Sequence, residues 1–114
     1  MKVQDHTDNV IIIDLRPEPD MTEELEAVIK TARRRVDQNV IVDFTNVGIM
    51  ASSSISRLLQ LRKIVRGNGR SLVLLNVTPL TRGVFSAVGL DDLFEFRDDP
   101  TGAAAIQRKE GLAD

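Results

Sequence analysis

The chain has 114 residues, of which 42% are hydrophobic and 28% charged, a composition typical of one globular domain with a buried core. The net charge of −2, and four Phe with no Trp or Tyr, argue against a nucleic-acid-binding surface, which needs a basic field and stacking rings. Cysteine is absent, which excludes disulfides, a thiol nucleophile and a cysteine metal site. Residues 1–9 lack the apolar stretch of a signal peptide, and no run is long enough to span a membrane, so we expect a cytoplasmic protein.

The first half of the chain predicts two strands and a helix. Residues 2–6 have the pattern of a short edge strand, and the β-branched run VIIIDL at 10–15 has that of a buried strand. After the turn RPEPD, Asp20 is expected to open a helix, because Glu23 stands at capping-box spacing. The apolar positions of this helix recur every three to four residues and are Met21, Leu25, Val28, Ile29, Ala32 and Val36.

The central part predicts two more strands around a second helix. The segments NVIVDF at 39–44 and SLVLLN at 71–76 are apolar throughout, as in buried strands. Between them a helix is predicted from the serines at 52–54 to about Arg66. The sequence GNG at 67–69 ends it, because glycine adopts the left-handed conformation at a helix C-terminus.

The last part predicts a third helix, a strand and a terminal helix. Thr78 followed by Pro79 is a helix start, and Gly89 is the matching stop. The inner face of this helix is predicted to consist of Leu80, Val84, Phe85 and Val88. The segment LFEF at 93–96 predicts a short strand, and residues 98–106 predict a final helix.

Strands and helices therefore alternate along the chain, and the strands are apolar on both faces. This order predicts an α/β fold with a single-layer, mostly parallel sheet of four to five strands and alternating helices. We expect one domain over residues 1–114, with loosely ordered ends at 1–8 and 107–114.

Most kinds of catalytic or metal site lack the residues they need. His6 is the only histidine, which argues against a metal site and a Ser-His-Asp triad, and no phosphate-binding glycine loop is present. Asp14 and Asp43 lie near strand ends, where open α/β sheets bind ligands, so a receiver-like domain is an alternative. The usual lysine after the last strand of a receiver is missing, because RDDP stands there.

Three consecutive serines, Ser52 to Ser54, stand where the second helix begins. One serine at a helix start accepts a hydrogen bond from a free backbone N–H and contributes about 1 kcal/mol. We therefore expect one member of the row to cap the helix, which leaves the others unexplained. A phosphate on a first-turn serine would be tolerated by the fold, because the helix N-terminus favours negative charge.

The segment NVIVDFTNVGIMASSSISRLLQLRK resembles the central signature of the STAS domain, the sulfate-transporter and anti-sigma-factor-antagonist family. That signature is an apolar strand with an Asp, a short connection, Asp-Ser-Ser-Gly and an apolar-rich helix. Residues 40–44 match the strand and residues 51–54 the Asp-Ser-Ser-Gly stretch, and the similarity continues through SLVLLNVTPLTRGVFSAVGLDDLFEF. Ala51 replaces the Asp, Ser54 replaces the Gly, and Ser56 stands where a second Gly is common.

The resemblance implies a bacterial anti-sigma-factor antagonist that regulates transcription by partner switching. Such a protein is not an enzyme and needs no cofactor. Its partner is an anti-sigma factor with serine kinase activity, which phosphorylates the antagonist and thereby releases it. The resemblance assigns the phosphoacceptor to Ser53, with Ser52 and Ser54 as secondary candidates. It assigns the partner-binding surface to Met50, Ser52, Ser54, Ser56 and Arg57.

Two other functions stay open on the sequence. One is a STAS scaffold that is not phosphorylated, either in a stress-signalling complex or as an accessory subunit of a lipid transporter. The other is the receiver-like domain that would use Asp14 and Asp43. Neither the partner nor the oligomeric state follows from the sequence.

Overall fold

A computed structural model describes residues 3–7, 10–48 and 50–98 of the chain. The elements in chain order are strand β1 (Val3–Thr7), strand β2 (Val10–Asp14), helix α1 (Asp20–Arg34), strand β3 (Asn39–Asp43), helix α2 (Ser52–Gly67), strand β4 (Leu72–Leu75), helix α3 (Pro79–Ala87) and strand β5 (Glu95–Arg97). The predicted α/β fold is confirmed.

The five strands form one sheet in the order β1-β2-β3-β4-β5. Strand β1 pairs with β2 in antiparallel fashion, and the other three pairings are parallel. The register aligns Asp14 with Asp43, and Asp43 with Leu75, so strands β2 to β4 end at the same edge of the sheet. The loops that follow these ends lead into the helices, and the serine row follows one of them.

Both faces of the sheet are buried, as the apolar strands predicted. The larger core cluster joins one face of the sheet to side chains of all three helices, among them Leu25, Leu58 and Phe85. A smaller cluster on the alternate strand positions consists of Val10, Ile12, Ile41, Val73 and Leu75. The two clusters lie on opposite faces of the sheet, because successive side chains of a strand point to opposite faces.

The first helix differs from its prediction at both ends. Asp20 is the first helical residue, and the N-cap position belongs to Pro19, which makes no side-chain cap hydrogen bond. The capping-box interpretation is therefore wrong. The helix ends at Arg34, two residues before Val36, which is 56% exposed instead of lying on the buried face.

The third helix begins as predicted but buries much less than expected. The Thr78 side chain accepts a hydrogen bond from the backbone N–H of Thr81, with Pro79 in the first turn. Phe85 is fully buried and packs against Phe94, with 5.4 Å between ring centroids. The predicted inner residues Leu80, Val84 and Val88 are 71%, 36% and 57% exposed, so that part of the prediction is wrong.

The remaining predictions concern the chain ends and the last strand. The edge strand forms at residues 3–7, within the segment 1–8 that was expected to be loosely ordered. The last strand lies at 95–97, slightly beyond the predicted 93–96. The predicted terminal helix at 98–106 extends into residues outside the described part of the chain, and the end at 107–114 lies wholly outside it.

Candidate functional site at the start of helix α2

Helix α2 begins without a serine cap. Ser52 is the first helical residue, and Ala51 holds the N-cap position with an extended backbone and no side-chain hydrogen bond. The Ala51 carbonyl accepts the backbone N–H of Ser54 at 3.0 Å and that of Ile55 at 3.2 Å. The row lies one residue too far along the chain to cap the helix, so the capping prediction is wrong.

Ser54 points into the protein and binds a residue from a different loop. Its side chain is fully buried, and its hydroxyl donates to a carboxylate oxygen of Glu18 at 2.5 Å. Glu18 lies in the loop between β2 and α1. The same carboxylate accepts the backbone N–H of Thr22 at 3.3 Å and the Thr22 hydroxyl at 3.0 Å. Glu18 thereby connects the starts of α1 and α2.

The surroundings of Glu18 favour its charged form. The hydrogen bond from Ser54 is the largest cause that lowers the pKa of Glu18 below its ordinary value. Desolvation acts in the opposite direction, whereas the two hydrogen bonds from Thr22 and the positive charge of Arg57 lower the pKa further. The carboxylate is therefore ionised at neutral pH and serves as a hydrogen-bond acceptor.

The other serines face solvent. Ser52, Ser53 and Ser56 are exposed, and the Ser56 hydroxyl donates to the Ser52 carbonyl at 3.2 Å. The turn at the start of α2 thus presents two consecutive exposed hydroxyls, on Ser52 and Ser53. Their neighbour Ser54 is closed to a kinase in this fold, because its hydroxyl is buried and already bonded.

The residues assigned to partner binding divide between the surface and the core. Ser52 and Ser56 are exposed, and the Arg57 side chain is 27% exposed. Met50 is only 7% exposed and belongs to the core cluster, and Ser54 is fully buried. Met50 and Ser54 therefore offer little surface to a partner that docks on this conformation, and the assignment of the five residues to partner binding stays a prediction.

Arg57 joins α2 to α1 beside the exposed serines. Its guanidinium donates to the Glu26 carboxylate through Nε at 3.1 Å and Nη2 at 2.9 Å. A third hydrogen bond, from Nη1, reaches the Ser53 carbonyl at 3.2 Å. Between the two helices lies an open groove of about 520 Å³, and both Ser53 and Arg57 line it.

Asp43, at the edge of the sheet, has a structural role. Asp43 accepts hydrogen bonds from the backbone N–H of Thr45 at 2.9 Å and from the Thr45 hydroxyl at 2.6 Å. The Asn76 amide also lies 3.5 Å from the same oxygen. These bonds fix the loop after β3, which leads towards the serine row. Asp14 stands beside Asp43 in the register of the sheet and is half-buried.

Neither a metal-binding cluster nor a membrane-spanning helix occurs in the described ranges 3–7, 10–48 and 50–98. Within them, no group of three or more His, Cys, Asp or Glu side chains is placed to hold a metal ion. The helices in the same ranges include none that is long and apolar enough to cross a membrane.

The fold and this turn identify the family. The STAS domain profile matches residues 2–103, so the chain belongs to the STAS domain family. The predicted resemblance is confirmed. No curated protein matches the chain by sequence.

The chain is similar in structure to solved anti-sigma-factor antagonists. The unphosphorylated form of the anti-sigma factor antagonist SpoIIAA is 25% identical, with a TM-score of 0.73 over 96% of this chain and 97% of that one. The phosphorylated form of the Bacillus cell fate determinant SpoIIAA is also 25% identical, with a TM-score of 0.71 over 94% and 96%. An anti-sigma-factor antagonist domain protein from Planctomyces limnophilus shares the fold at 18% identity, with a TM-score of 0.70 over 99% and 97%.

Glu18 is the site residue whose role the sequence did not reveal. Glu18 lies in the turn RPEPD, and its partner Ser54 is 36 residues away in the chain. The available signal was Ser54 itself, a polar residue where the family pattern has glycine. A hydroxyl that the fold buries there requires an acceptor nearby.

Proposed function

We propose that this protein is an anti-sigma-factor antagonist of a bacterial partner-switching system in the cytoplasm. In this proposal it binds an anti-sigma factor with serine kinase activity. The observation that carries it is the pair of exposed hydroxyls, on Ser52 and Ser53, in the first turn of α2. Its membership of the STAS family and its similarity to both forms of SpoIIAA support this assignment.

The partner would supply the phosphoryl-transfer chemistry. The serine Oγ would attack the γ-phosphorus of ATP, lose its proton and leave ADP as the second product. The phosphoserine would add about 1.5 to 2 negative charges at pH 7. An interface that covers the turn would then have to bury a dianion, so the complex would dissociate.

We assign the modification to Ser53, with Ser52 as the alternative. Both hydroxyls are accessible, and they differ in their neighbours. Position i+4 from Ser53 is Arg57, a cation, whereas position i+4 from Ser52 is the neutral Ser56. A phosphate on a helix is stabilised by a cation one turn further along the chain, which favours Ser53.

Phosphopeptide mass spectrometry on the protein from its own cells tests the proposal. Trypsin releases residues 36–57 as one peptide, VDQNVIVDFTNVGIMASSSISR, which carries the whole serine row. Fragment ions between consecutive serines assign the phosphate, and phosphatase treatment should remove it. We expect one phosphate on Ser53, and its loss in the Ser53→Ala variant. Modification of Ser52 alone would move the acceptor by one residue.

Binding provides the second part of the test. Ser53→Asp should abolish the capture of an anti-sigma factor. Ser53→Asn should retain the capture, because the Asn side chain is similar in size to Asp but carries no charge. An unmodified peptide under all growth and stress conditions, together with binding that Ser53→Asp leaves intact, would contradict the proposal. That result would favour the scaffold that is not phosphorylated.

A further inference from the structure

Seven of the eight residues that line the groove between α1 and α2 have polar or charged side chains, and the eighth is Ile29. Helix α1 contributes Glu26, Lys30 and Arg33, and α2 contributes Ser53 and Arg57. Three cations and one anion therefore face a space of about 520 Å³, in a protein whose total charge is −2. The local excess of positive charge favours an anionic ligand.

Two of these cations lack an anion of their own. Arg57 is paired with Glu26, at 2.9 Å between Nη2 and the carboxylate oxygen. Lys30 and Arg33 are exposed and have no ion pair within the part of the chain that the structure describes. The groove therefore has positive charge that Glu26 alone does not neutralise.

Ser53 lies at the wall of this groove, and Arg57 is already close to it. The Arg57 guanidinium bonds the Ser53 carbonyl at 3.2 Å. Residues four apart on a helix have Cβ atoms about 5–6 Å apart, within reach of an arginine and a phosphoserine. Ser52 lacks this arrangement, because the hydroxyl of Ser56 occupies the corresponding position and bonds the Ser52 carbonyl.

We propose that the groove is a binding site for the phosphate monoester of Ser53, in which Arg57 exchanges Glu26 for the phosphate and Lys30 lies opposite. This inference rests on the proposed function, because it concerns the state that phosphorylation creates. A phosphate dianion attracts the guanidinium more strongly than a carboxylate does and accepts two parallel hydrogen bonds from it. The exchange breaks the ion pair that links α1 to α2 and releases Glu26 to solvent.

The groups that face Arg57 determine how strong this exchange is. Glu26 competes for the guanidinium from α1, and Glu18 lies close enough for the charge of Arg57 to lower its pKa. Lys30 and Arg33 oppose these two acids. Phosphorylation therefore changes the surface in two ways, by adding a phosphate to the groove and by freeing a carboxylate beside it.

Phosphoserine incorporated genetically at position 53 or 52 tests the inference on the whole chain. The second pKa of each phosphate is followed by ³¹P NMR between pH 4 and 8. A free phosphoserine has a second pKa of about 6. We expect the phosphate at position 53 to titrate about half a unit or more below the phosphate at position 52, because a nearby cation favours the dianion.

Three variants should shift the pKa of the phosphate at position 53, two of them upwards and one downwards. Arg57→Gln should raise the pKa of the phosphate at position 53 towards that at position 52, because the bound cation is lost. Glu26→Gln should lower it further, because a competing anion is lost. Lys30→Gln should raise it to a smaller extent. A phosphate at position 53 that titrates like the one at position 52 and ignores Arg57→Gln would overturn the inference.

The design separates this inference from the proposed function. The phosphate is installed without a kinase, so the titration does not depend on whether cells phosphorylate the serine. A positive titration, combined with unmodified protein in cells and binding that Ser53→Asp leaves intact, would support the groove site and contradict the proposed function. A negative titration, combined with phosphorylated Ser53 in cells, would support the proposed function and contradict the groove site.

Discussion

Replacing Ser54 with Ala should destabilise the domain by about 1 kcal/mol. The hydroxyl is fully buried and donates to the Glu18 carboxylate at 2.5 Å. A hydrogen bond to a charged group contributes about 1.5–3 kcal/mol. We discount this value because Glu18 is exposed, so water can replace the lost donor and solvent screens the charge. For a domain of this size, such a loss lowers Tm by on the order of 4 °C.

The effect should depend on pH in a defined direction. The pKa of Glu18 is lowered in the folded protein, first by the Ser54 hydrogen bond, from an ordinary value of 4.5. The stabilisation is therefore fully present above the unfolded-state pKa and is lost as pH falls through the folded-state pKa. The difference between wild type and Ser54→Ala should be largest at neutral pH and shrink below about pH 4.5.

Urea unfolding followed by far-UV circular dichroism is the suitable assay, because the chain has neither Trp nor Tyr for fluorescence. Ser53→Ala is the matched control, since this exposed neighbour should change the free energy of unfolding by less than about 0.5 kcal/mol. A double-mutant cycle with Glu18→Gln should give a coupling of about 0.5 kcal/mol or more. Equal losses at pH 3 and pH 7, and additive effects in the cycle, would refute the reasoning.

Three further predictions concern the fold. Thr78→Ala should cost about 1 kcal/mol in urea unfolding, because it removes the hydroxyl that caps α3, and Thr78→Ser should restore most of that loss. Phe85→Ala should lower the free energy of unfolding by about 3–5 kcal/mol, since the ring is fully buried against Phe94. Leu80→Ala is the control, because Leu80 is 71% exposed and its loss should change stability by less than about 0.5 kcal/mol. Similar losses of stability in the two variants would contradict the burial of Phe85. Gly69→Ala should cost about 1 kcal/mol, because the backbone there has φ of +74°, and an unchanged thermal midpoint would argue against that conformation.

Local patterns predicted the elements whose causes are local. The apolar runs at 10–15 and 39–44 became central parallel strands, because a continuous apolar run is typical of a strand that is covered on both faces. Thr78 with Pro79 correctly predicted the start of α3, since a cap and its N–H partner lie three residues apart. Gly69 correctly predicted the end of α2, because its positive φ is a property of one residue.

The predicted inner face of α3 was wrong, because burial there depends on tertiary contacts that a local pattern does not contain. The spacing of Leu80, Val84 and Val88 describes an apolar stripe but not which surface is available to cover it. Of the four predicted inner residues, only Phe85 belongs to the core, where it packs against Phe94 and Phe96. Periodicity gives the face of a helix, whereas burial depends on how the helix is rotated against its neighbours.

The sequence by itself determined the alternating α/β order, the family and the position of the serine row, because these depend on residues close together in the chain. Only the tertiary structure decided which serines are accessible. A helix of 3.6 residues per turn sends neighbouring side chains in different directions, so Ser53 faces the groove while Ser54 enters the core. Ser54 can be buried because the fold brings Glu18 to it from 36 residues away, a contact that no local pattern encodes.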